Sequence, residues 1–307
     1  MKGLELAKAF YEEYGKPMLE DFPEIKGKLA IGLCGSGSEC FGFDDEFSKD
    51  HDFEPGFCIF LPDEQAIDRQ TAFRLERAYA KLPMEFLGFE RSRLSPVGGN
   101  RHGVLRTADF FRAKTGTPDG ILSDEAWFAV PEFALAEAVN GEIFYDGLGE
   151  VTAIRARLSK MPQDVRLKKL AGHLLLMGQA GQYNYNRCMA RGEYGGARMA
   201  AFEFAKSALH TIFLLNETYL PFYKWQFRAL RNLPKLAEIA QPLEKLLSCA
   251  EQENAQRIEE IAQVISQELR AQGLITDSGA ELERHAYEVN NRIEDSNIRN
   301  QHILYGI

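Results

Sequence analysis

The sequence predicts an α+β fold, in which a small mixed sheet flanked by helices is followed by an all-α helical bundle. Short apolar runs bounded by glycine, proline and polar turns occur before about residue 155, and helical periodicity dominates after it. The length of 307 residues also exceeds the usual size of a single core. We therefore predict an α/β domain over residues 1–155 and a helical bundle over residues 156–307.

Strand and helix patterns alternate in the first part. A helical stripe ends near Gly15. Three stretches have the pattern of strands: KLAIGLC (28–34), FCIFL (57–61) and HGVLRT (102–107). Further helices are expected at 64–81, 110–116 and 127–141, the last ending at Gly141 before a short extended piece. The second part has helical periodicity at 162–190, 194–218, 222–231, 236–251, 253–272 and 279–300.

Composition narrows the class of protein. The chain is 45% hydrophobic and 26% charged, which is ordinary for a globular protein. A formal net charge of -9 disfavours general binding of nucleic acids, because an acidic surface repels phosphate backbones. The five cysteines have no zinc spacing and are expected to be reduced. Neither a signal peptide nor an 18-residue apolar stretch is present, so we predict a cytoplasmic protein without a membrane partner.

The stretch GSGSECFGFDDEFSKDHDF (35–53) carries the clearest chemical signal. Gly37 and Ser38 follow a predicted strand, where small residues with free backbone N–H groups suit a phosphate. If Asp50 and Asp52 lie on the next strand, their carboxylates point to the same side. Two adjacent carboxylates repel each other, and Mg²⁺ would relieve that repulsion. The pattern predicts a site for metal and phosphate.

This arrangement resembles the nucleotidyltransferase superfamily, whose motif is a Gly-Gly/Ser turn, a spacer of about a dozen residues and then Asp-x-Asp/Glu. The resemblance implies that Gly37 and Ser38 hold a nucleoside triphosphate and that Asp50 and Asp52 bind Mg²⁺ and act in catalysis. More narrowly, the stretch resembles the bacterial "domain of unknown function 4037" family. That likeness continues through GQYNYNR (181–187) and LLNETYLPFYKWQFRALRNLP (214–234).

The helical part supplies further candidates for nucleotide binding. The segment around Lys224 is similar to the helical domain of aminoglycoside adenylyltransferases, in which a lysine reaches the triphosphate. Arg228 follows Lys224 by one helical turn, and Asn184 and Arg187 form a second such pair. Each of these pairs could instead belong to an exposed polar face. His173 and His210 lie among apolar residues and are expected to be core histidines with satisfied hydrogen bonds.

Two functions follow from these observations. The first is a Mg²⁺-dependent enzyme that transfers a nucleoside monophosphate from an NTP, with ATP expected, to a hydroxyl group of an unidentified small molecule or protein. The second is an inactive nucleotidyltransferase-like module that binds a nucleotide or a partner. Active members of the superfamily carry a third acidic residue on a later strand, whereas HGVLRT has none. The nearby acids Glu85, Asp109 and Asp146 lie outside that strand.

Overall fold

The computed structural model describes residues 1–50, 53–92, 101–248 and 253–307, with the backbone alone for Lys49 and Asp50. Two compact units divide the chain. Unit 1 comprises Met1–Ser123 and Ala134–Ser159, and unit 2 comprises Asp124–Phe133 and Lys160–Ile307. The domain boundary predicted between residues 155 and 156 stays a prediction, because compactness within one chain does not show that either part folds alone.

Strands occupy unit 1. In the described residues they are β1 (Ala30–Leu33), β2 (Cys58–Leu61), β3 (Glu85–Phe86), β4 (Phe89–Glu90), β5 (Gly103–Arg106) and β6 (Glu142–Asp146). Four of them form one sheet in the order β5-β2-β1-β6. Strand β1 is antiparallel to β2 and β6, whereas β2 is parallel to β5. The mixed sheet predicted from the sequence is therefore confirmed, with β1 and β2 side by side.

Helices occupy both units. The α-helices of the described residues are α1 (Gly3–Phe10), α2 (Lys16–Leu19), α3 (Pro23–Lys26), α4 (Arg69–Ala80), α5 (Thr107–Thr115), α6 (Asp124–Ala129), α7 (Glu132–Val139), α8 (Glu150–Leu158), α9 (Gln163–Met177), α10 (Asn186–Ala190), α11 (Tyr194–Leu215), α12 (Gln226–Leu230), α13 (Ala240–Ser248), α14 (Glu253–Ala271), α15 (Leu282–Asn290) and α16 (Ser296–Asn300). Shorter 3-10 segments are Glu39–Phe41, Glu46–Asp50, Tyr223–Trp225 and Ala237–Ile239, and π-helical turns are Tyr11–Gly15 and Gly178–Tyr185. The α+β class is thus confirmed.

The core of unit 1 lies between the sheet and the N-terminal helices. Phe57, which leads into β2, is fully buried, and its ring packs on Phe10 and Tyr79 at centroid distances of 6.0 and 5.1 Å. The Tyr79 hydroxyl donates to the Phe57 carbonyl at 2.9 Å and accepts from the Phe57 N–H at 3.0 Å. The backbone that enters β2 is therefore satisfied inside the core.

Three predicted elements are wrong in detail, and the first is the helix expected over 279–300, which is divided into α15 and α16. The single helix expected over 127–141 is divided into α6 and α7 at Pro131, because proline lacks an N–H and its ring disfavours helical backbone at the preceding residue. Asp50, which was expected on a strand, instead ends the 3-10 segment Glu46–Asp50. The Asp45 carboxylate accepts hydrogen bonds from the N–H groups of Phe47 and Ser48 and so begins a turn there.

Unit 2 is built from helices in the described residues. Helix α9 packs against α11 and α15, and most of its side chains are buried. Lys168 is held within this core by Asn290 Oδ1 at 2.9 Å and by the Gln301 carbonyl at 2.7 Å. In the part of the chain that the structure describes, no helix combines the length and the hydropathy needed to cross a bilayer.

Candidate functional site

The turn that follows β1 has a backbone shape that depends on glycine. Gly35 has φ +108° and Gly37 has φ +129°, conformations in which other residues are strained. A Cβ atom on Gly37 would overlap the Arg101 guanidinium and would lie 2.5 Å from a Glu39 carboxylate oxygen. The predicted Gly-Ser turn is present, and Ser38 leads directly into the 3-10 segment Glu39–Phe41.

Side chains from α7 and α5 hold this turn. The Asn140 amide, just beyond α7, accepts from the Gly35 N–H and donates to the Gly35 carbonyl, each at 2.8 Å. The Ser36 hydroxyl donates to Glu137 Oε2 at 2.9 Å and accepts from Lys114 Nζ at 3.1 Å. Lys114 also forms an ion pair with Glu137, and both side chains are largely buried. The turn is therefore rigidly positioned beside an ammonium group.

An arginine and a glutamate form a second ion pair at the turn. Arg101 Nη2 donates to the Ser36 carbonyl at 2.9 Å and pairs with the Glu39 carboxylate. The Glu39 side chain is 8% exposed, and the Arg101 side chain is 27% exposed. Burial raises the pKa of Glu39, and the Arg101 charge opposes that rise without cancelling it. Two cations, Arg101 and Lys114, thus flank the turn, and each is paired with a carboxylate.

Sequence reasoning did not identify these partners. Arg101 is 65 residues from Ser36, and Lys114 is 78 residues from it. No spacing rule links a lysine near the end of one helix to a turn after a distant strand. The available signal was the pattern GGNRHG, predicted from the sequence as a loop, which places an arginine two residues before the strand that lies parallel to β2.

A further carboxylate lies close to β5 without being part of it. Glu54 Oε1 lies 3.2 Å from Nδ1 of His102, the residue before β5, and its other oxygen accepts from the Ser92 N–H. Burial alone would raise the pKa of Glu54, but the hydrogen bonds from His102 and Ser92 outweigh it and lower the pKa to about 2. Glu54 is therefore ionised at neutral pH.

The other acids considered for this role have separate contacts. Asp109 forms an exposed pair with Arg112 on α5, and Asp146 accepts from the Thr152 N–H at 2.8 Å. Glu85 is exposed on β3. Strand β5 itself, GVLR, carries no acidic residue. The sequence left the third catalytic carboxylate unidentified, and the contacts of these three acids do not identify it.

The structure describes the predicted metal ligands only in part. Asp50 ends a 3-10 segment and contributes its backbone alone, and Asp52 lies outside the described residues. Strand β2 begins at Cys58, so Asp50 precedes this strand and does not lie on it. The role of both aspartates as Mg²⁺ ligands stays a prediction from the sequence.

The candidates from the helical part all lie in unit 2. Asn184 and Arg187 are exposed, and the Arg187 guanidinium lies over the Tyr183 ring at 4.6 Å. Lys224 is exposed, with its ammonium 5.0 Å from the centroid of Trp225. It belongs to a 3-10 segment and Arg228 to α12, so the two do not share one helix. That these residues contact a nucleotide bound at the turn of unit 1 stays a prediction.

The described residues also contain one group that could hold a metal ion in unit 2. One potential ligand atom from each of Glu132, His173 and His210 lies within 4.8 Å of the others. His210 Nδ1 lies 3.0 Å from Glu132 Oε1. His173 is buried, as expected, but its Nδ1 atom lacks a hydrogen-bond partner in the described residues. The expectation of a satisfied core histidine is therefore wrong for His173.

Comparison with known proteins gives one family match. Residues 127–226 match the model of the family described as "Domain of unknown function (DUF4037)". The narrower resemblance predicted from the sequence is thus confirmed over this segment, which includes Asn184, Arg187 and Lys224. The turn at Gly37 lies outside the matched segment, and the wider nucleotidyltransferase superfamily stays a prediction. A search of curated proteins finds no match.

Proposed function

We propose that this protein, whose residues 127–226 match the model of the family described as domain of unknown function 4037, is a Mg²⁺-dependent nucleotidyltransferase. One observation supports the proposal most directly. The turn after β1 presents glycine backbone beside two cations, Arg101 and Lys114, that are held in place by ion pairs. Such a turn, at the end of a strand in a small mixed sheet, suits the phosphates of an NTP.

The proposed reaction joins a nucleoside monophosphate to an acceptor hydroxyl. The hydroxyl oxygen attacks the α-phosphorus in line, the bond from that phosphorus to the bridging oxygen breaks, and pyrophosphate leaves. The hydroxyl proton passes to a nearby base. Arg101, Lys114, Gly37 and Ser38 would orient the phosphates, and Asp50 and Asp52 would hold Mg²⁺. The ion, when bound, would neutralise part of the triphosphate charge. We expect the reaction to occur in the cytoplasm with ATP as donor.

Preorganisation is the physical advantage of the paired cations. An exposed lysine must lose side-chain entropy when it binds a phosphate. Lys114 is already fixed by Ser36 and Glu137, and Arg101 by Ser36 and Glu39. Their charges therefore face the turn before a ligand arrives, which favours catalysis by position and electrostatics.

A second candidate function has its own support. A nucleotide-binding module without turnover would need no third carboxylate, and β5 carries none. The same turn and the same cations would then bind a nucleotide for regulation or for contact with a partner. The two functions differ in the release of pyrophosphate.

Incubation with each of the four labelled NTPs and Mg²⁺ tests the proposal, with candidate hydroxyl acceptors and with the protein alone. The expected result is release of pyrophosphate and transfer of the label, with ATP preferred. Saturable NTP binding without pyrophosphate release would favour the binding module. A protein that binds no NTP, with or without Mg²⁺, would contradict both functions.

Replacement of Lys224 by alanine tests the helical part of the proposal. If the ammonium contacts the triphosphate, its loss should weaken NTP binding about 10- to 100-fold, which corresponds to about 1.5–3 kcal/mol. Binding of a nucleoside monophosphate should change much less, because it lacks the β and γ phosphates. Calorimetry with both ligands measures the difference.

The matched control is Lys245→Ala, since Lys245 is also an exposed lysine of unit 2. It should leave both affinities unchanged. Equal losses for the two ligands in Lys224→Ala would reject a contact with the triphosphate.

A further inference from the structure

Two neighbouring helices of unit 2 carry the same pair of residue types at the same spacing. Lys169 and His173 lie on α9, and Lys206 and His210 lie on α11. Residues four apart share one face of a helix. The imidazole rings of the two histidines lie 4.3 Å apart with an angle of 6° between their planes. All four side chains line one cavity of about 410 Å³.

Lys169 is an unusual lysine because only 5% of its surface is exposed. Its ammonium donates to the Phe128 carbonyl at 3.5 Å, the outer limit of a hydrogen bond. The described residues provide it with no further hydrogen bond or ion pair. Burial lowers its pKa, and the charge of Glu132 opposes that shift. A buried ammonium with one long hydrogen bond is costly unless a ligand completes its partners.

His173 has a similar deficit on the adjacent turn of α9. It is 5% exposed, and its Nδ1 atom has no partner within the described part of the chain. Burial is the main cause that lowers the pKa of His173 well below its usual range. The nearby charges of His210, Lys169 and Lys206 lower this pKa further. The cations around it already oppose a further positive charge.

The carboxylate of this cavity is already satisfied. Glu132 lies 3.0 Å from His210 Nδ1 through one oxygen and accepts from the Leu220 N–H at 3.2 Å through the other. Two lysines line the cavity, and Glu132 is its single carboxylate side chain among the lining residues. The lining side chains therefore carry one more positive than negative charge, before the terminal carboxylate of Ile307, which also lines the cavity, is counted.

Aromatic side chains form part of the wall of the same cavity. Phe133, Phe222 and Tyr223 line it and are exposed. Phe222 packs on Phe133 at 5.7 Å and on Tyr223 at 4.5 Å between ring centroids. The cavity volume falls in the range of small-molecule sites, which combine apolar walls with a few convergent polar groups. Flat, exposed rings favour a planar ligand.

We propose that this cavity binds a small organic anion, in which a carboxylate or phosphate head is joined to a planar ring. The head contacts Lys169 and His173, and the ring lies against Phe222 and its aromatic neighbours. This site involves neither Mg²⁺ nor the turn of unit 1, so it stands independently of the proposed nucleotidyl transfer.

A metal ion is a weaker occupant of the same cavity. Glu132, His173 and His210 offer ligand atoms within 4.8 Å of one another. A metal ion lies close to the plane of each imidazole ring that binds it. The rings of His173 and His210 are stacked in two nearly parallel planes, so one ion cannot lie in both planes at once. A divalent ion would also add positive charge beside Lys169.

Calorimetry in EDTA, without Mg²⁺ or NTP, tests the proposal with four probes: phenyl phosphate, benzoate, inorganic phosphate and benzyl alcohol. At least one aromatic anion is expected to bind with a Kd below about 1 mM. Benzyl alcohol lacks the charge and should bind at least 10-fold more weakly. Phenyl phosphate and benzoate distinguish a site for phosphates from a site for carboxylates.

Variants assign the contacts. Lys169→Met should weaken binding of the aromatic anion about 10- to 100-fold. Because it removes a buried and poorly paired charge, its melting temperature without ligand should equal or exceed that of the native protein. Phe222→Ala should weaken binding of the aromatic anion but not of inorganic phosphate. Lys245→Met, an exposed lysine outside the cavity, should change nothing.

Three outcomes would overturn the proposal. The first is a protein that binds none of the anions at millimolar concentration. The second is anion binding that Lys169→Met leaves unchanged while the variant remains folded. The third is stoichiometric Co²⁺ binding with visible absorption that His210→Ala removes, combined with no anion binding in EDTA, which would assign the cavity to a metal.

Discussion

Replacing Arg101 by methionine is expected to lower the free energy of unfolding by about 3 kcal/mol at neutral pH, because it leaves a buried carboxylate without its partner. Glu39 is 8% exposed and forms an ion pair with Arg101. Methionine keeps the apolar stem of the side chain and removes the guanidinium. Urea unfolding at pH 7 measures the loss.

The pH dependence of this variant follows from the direction of the Glu39 pKa. Burial already raises that pKa in the native protein, and Arg101 opposes the rise. Removing Arg101 raises the pKa further. A carboxyl group with a raised pKa in the folded state destabilises the fold increasingly as pH rises from the unfolded value, about 4.3, through the folded value. The destabilisation should therefore be larger at pH 8 than at pH 5.

Two controls separate this effect from a general loss of charge. The double variant Arg101→Met/Glu39→Gln should recover most of the stability, because no uncompensated charge remains. Arg112→Met removes a pair with Asp109 in which both side chains are more than half exposed, at 54% and 70%. Exposed pairs contribute about 0–1 kcal/mol. Equal losses in the single and double Arg101 variants would show that the guanidinium acts through packing instead.

Local patterns account for the elements that the sequence predicted correctly. The strands β1, β2 and β5 are short apolar runs between turn residues, and the glycines after β1 mark a turn whose backbone has positive φ. These features depend on neighbouring residues alone. The break at Pro131 is also local, because a proline lacks the N–H of a helical residue and the apolar periodicity of 127–141 does not reveal that loss.

The contacts of the candidate site depend on distant pairings that no local pattern contains. Arg101 and Lys114 reach Ser36 because the sheet order places β5 two strands from β1 and because α5 follows β5 directly. For His173, the apolar neighbours correctly predicted burial. Its environment depends on α11, which begins more than 20 residues further along the chain and stacks the His210 ring on it while leaving its Nδ1 atom without a partner in the described residues.

The double variant Asp50→Asn/Asp52→Asn is expected to abolish nucleotidyl transfer, with a loss of at least about 10³-fold. Metal ions contribute several kcal/mol to reactions of this type by stabilising charge, and about 4 kcal/mol corresponds to that factor. Mg²⁺ with an NTP should also raise the melting temperature of the native protein, because a ligand that binds the folded state stabilises it. The variant should lose the nucleotide-dependent part of this increase.

The stability of the double variant without ligand distinguishes a metal site from a structural role. If Asp50 and Asp52 repel each other when no metal is bound, the amides should leave the melting temperature unchanged or raise it.

Asp45→Asn/Glu46→Gln is the matched control, because it removes two charges from the same acidic run before the Asp-x-Asp pair. An asparagine at position 45 can still accept the hydrogen bonds from Phe47 and Ser48. This control should retain transfer and the response to nucleotide. If both double variants lose the response equally, the effect comes from general charge, and if Asp50→Asn/Asp52→Asn keeps it, the aspartates do not bind the metal that accompanies the nucleotide.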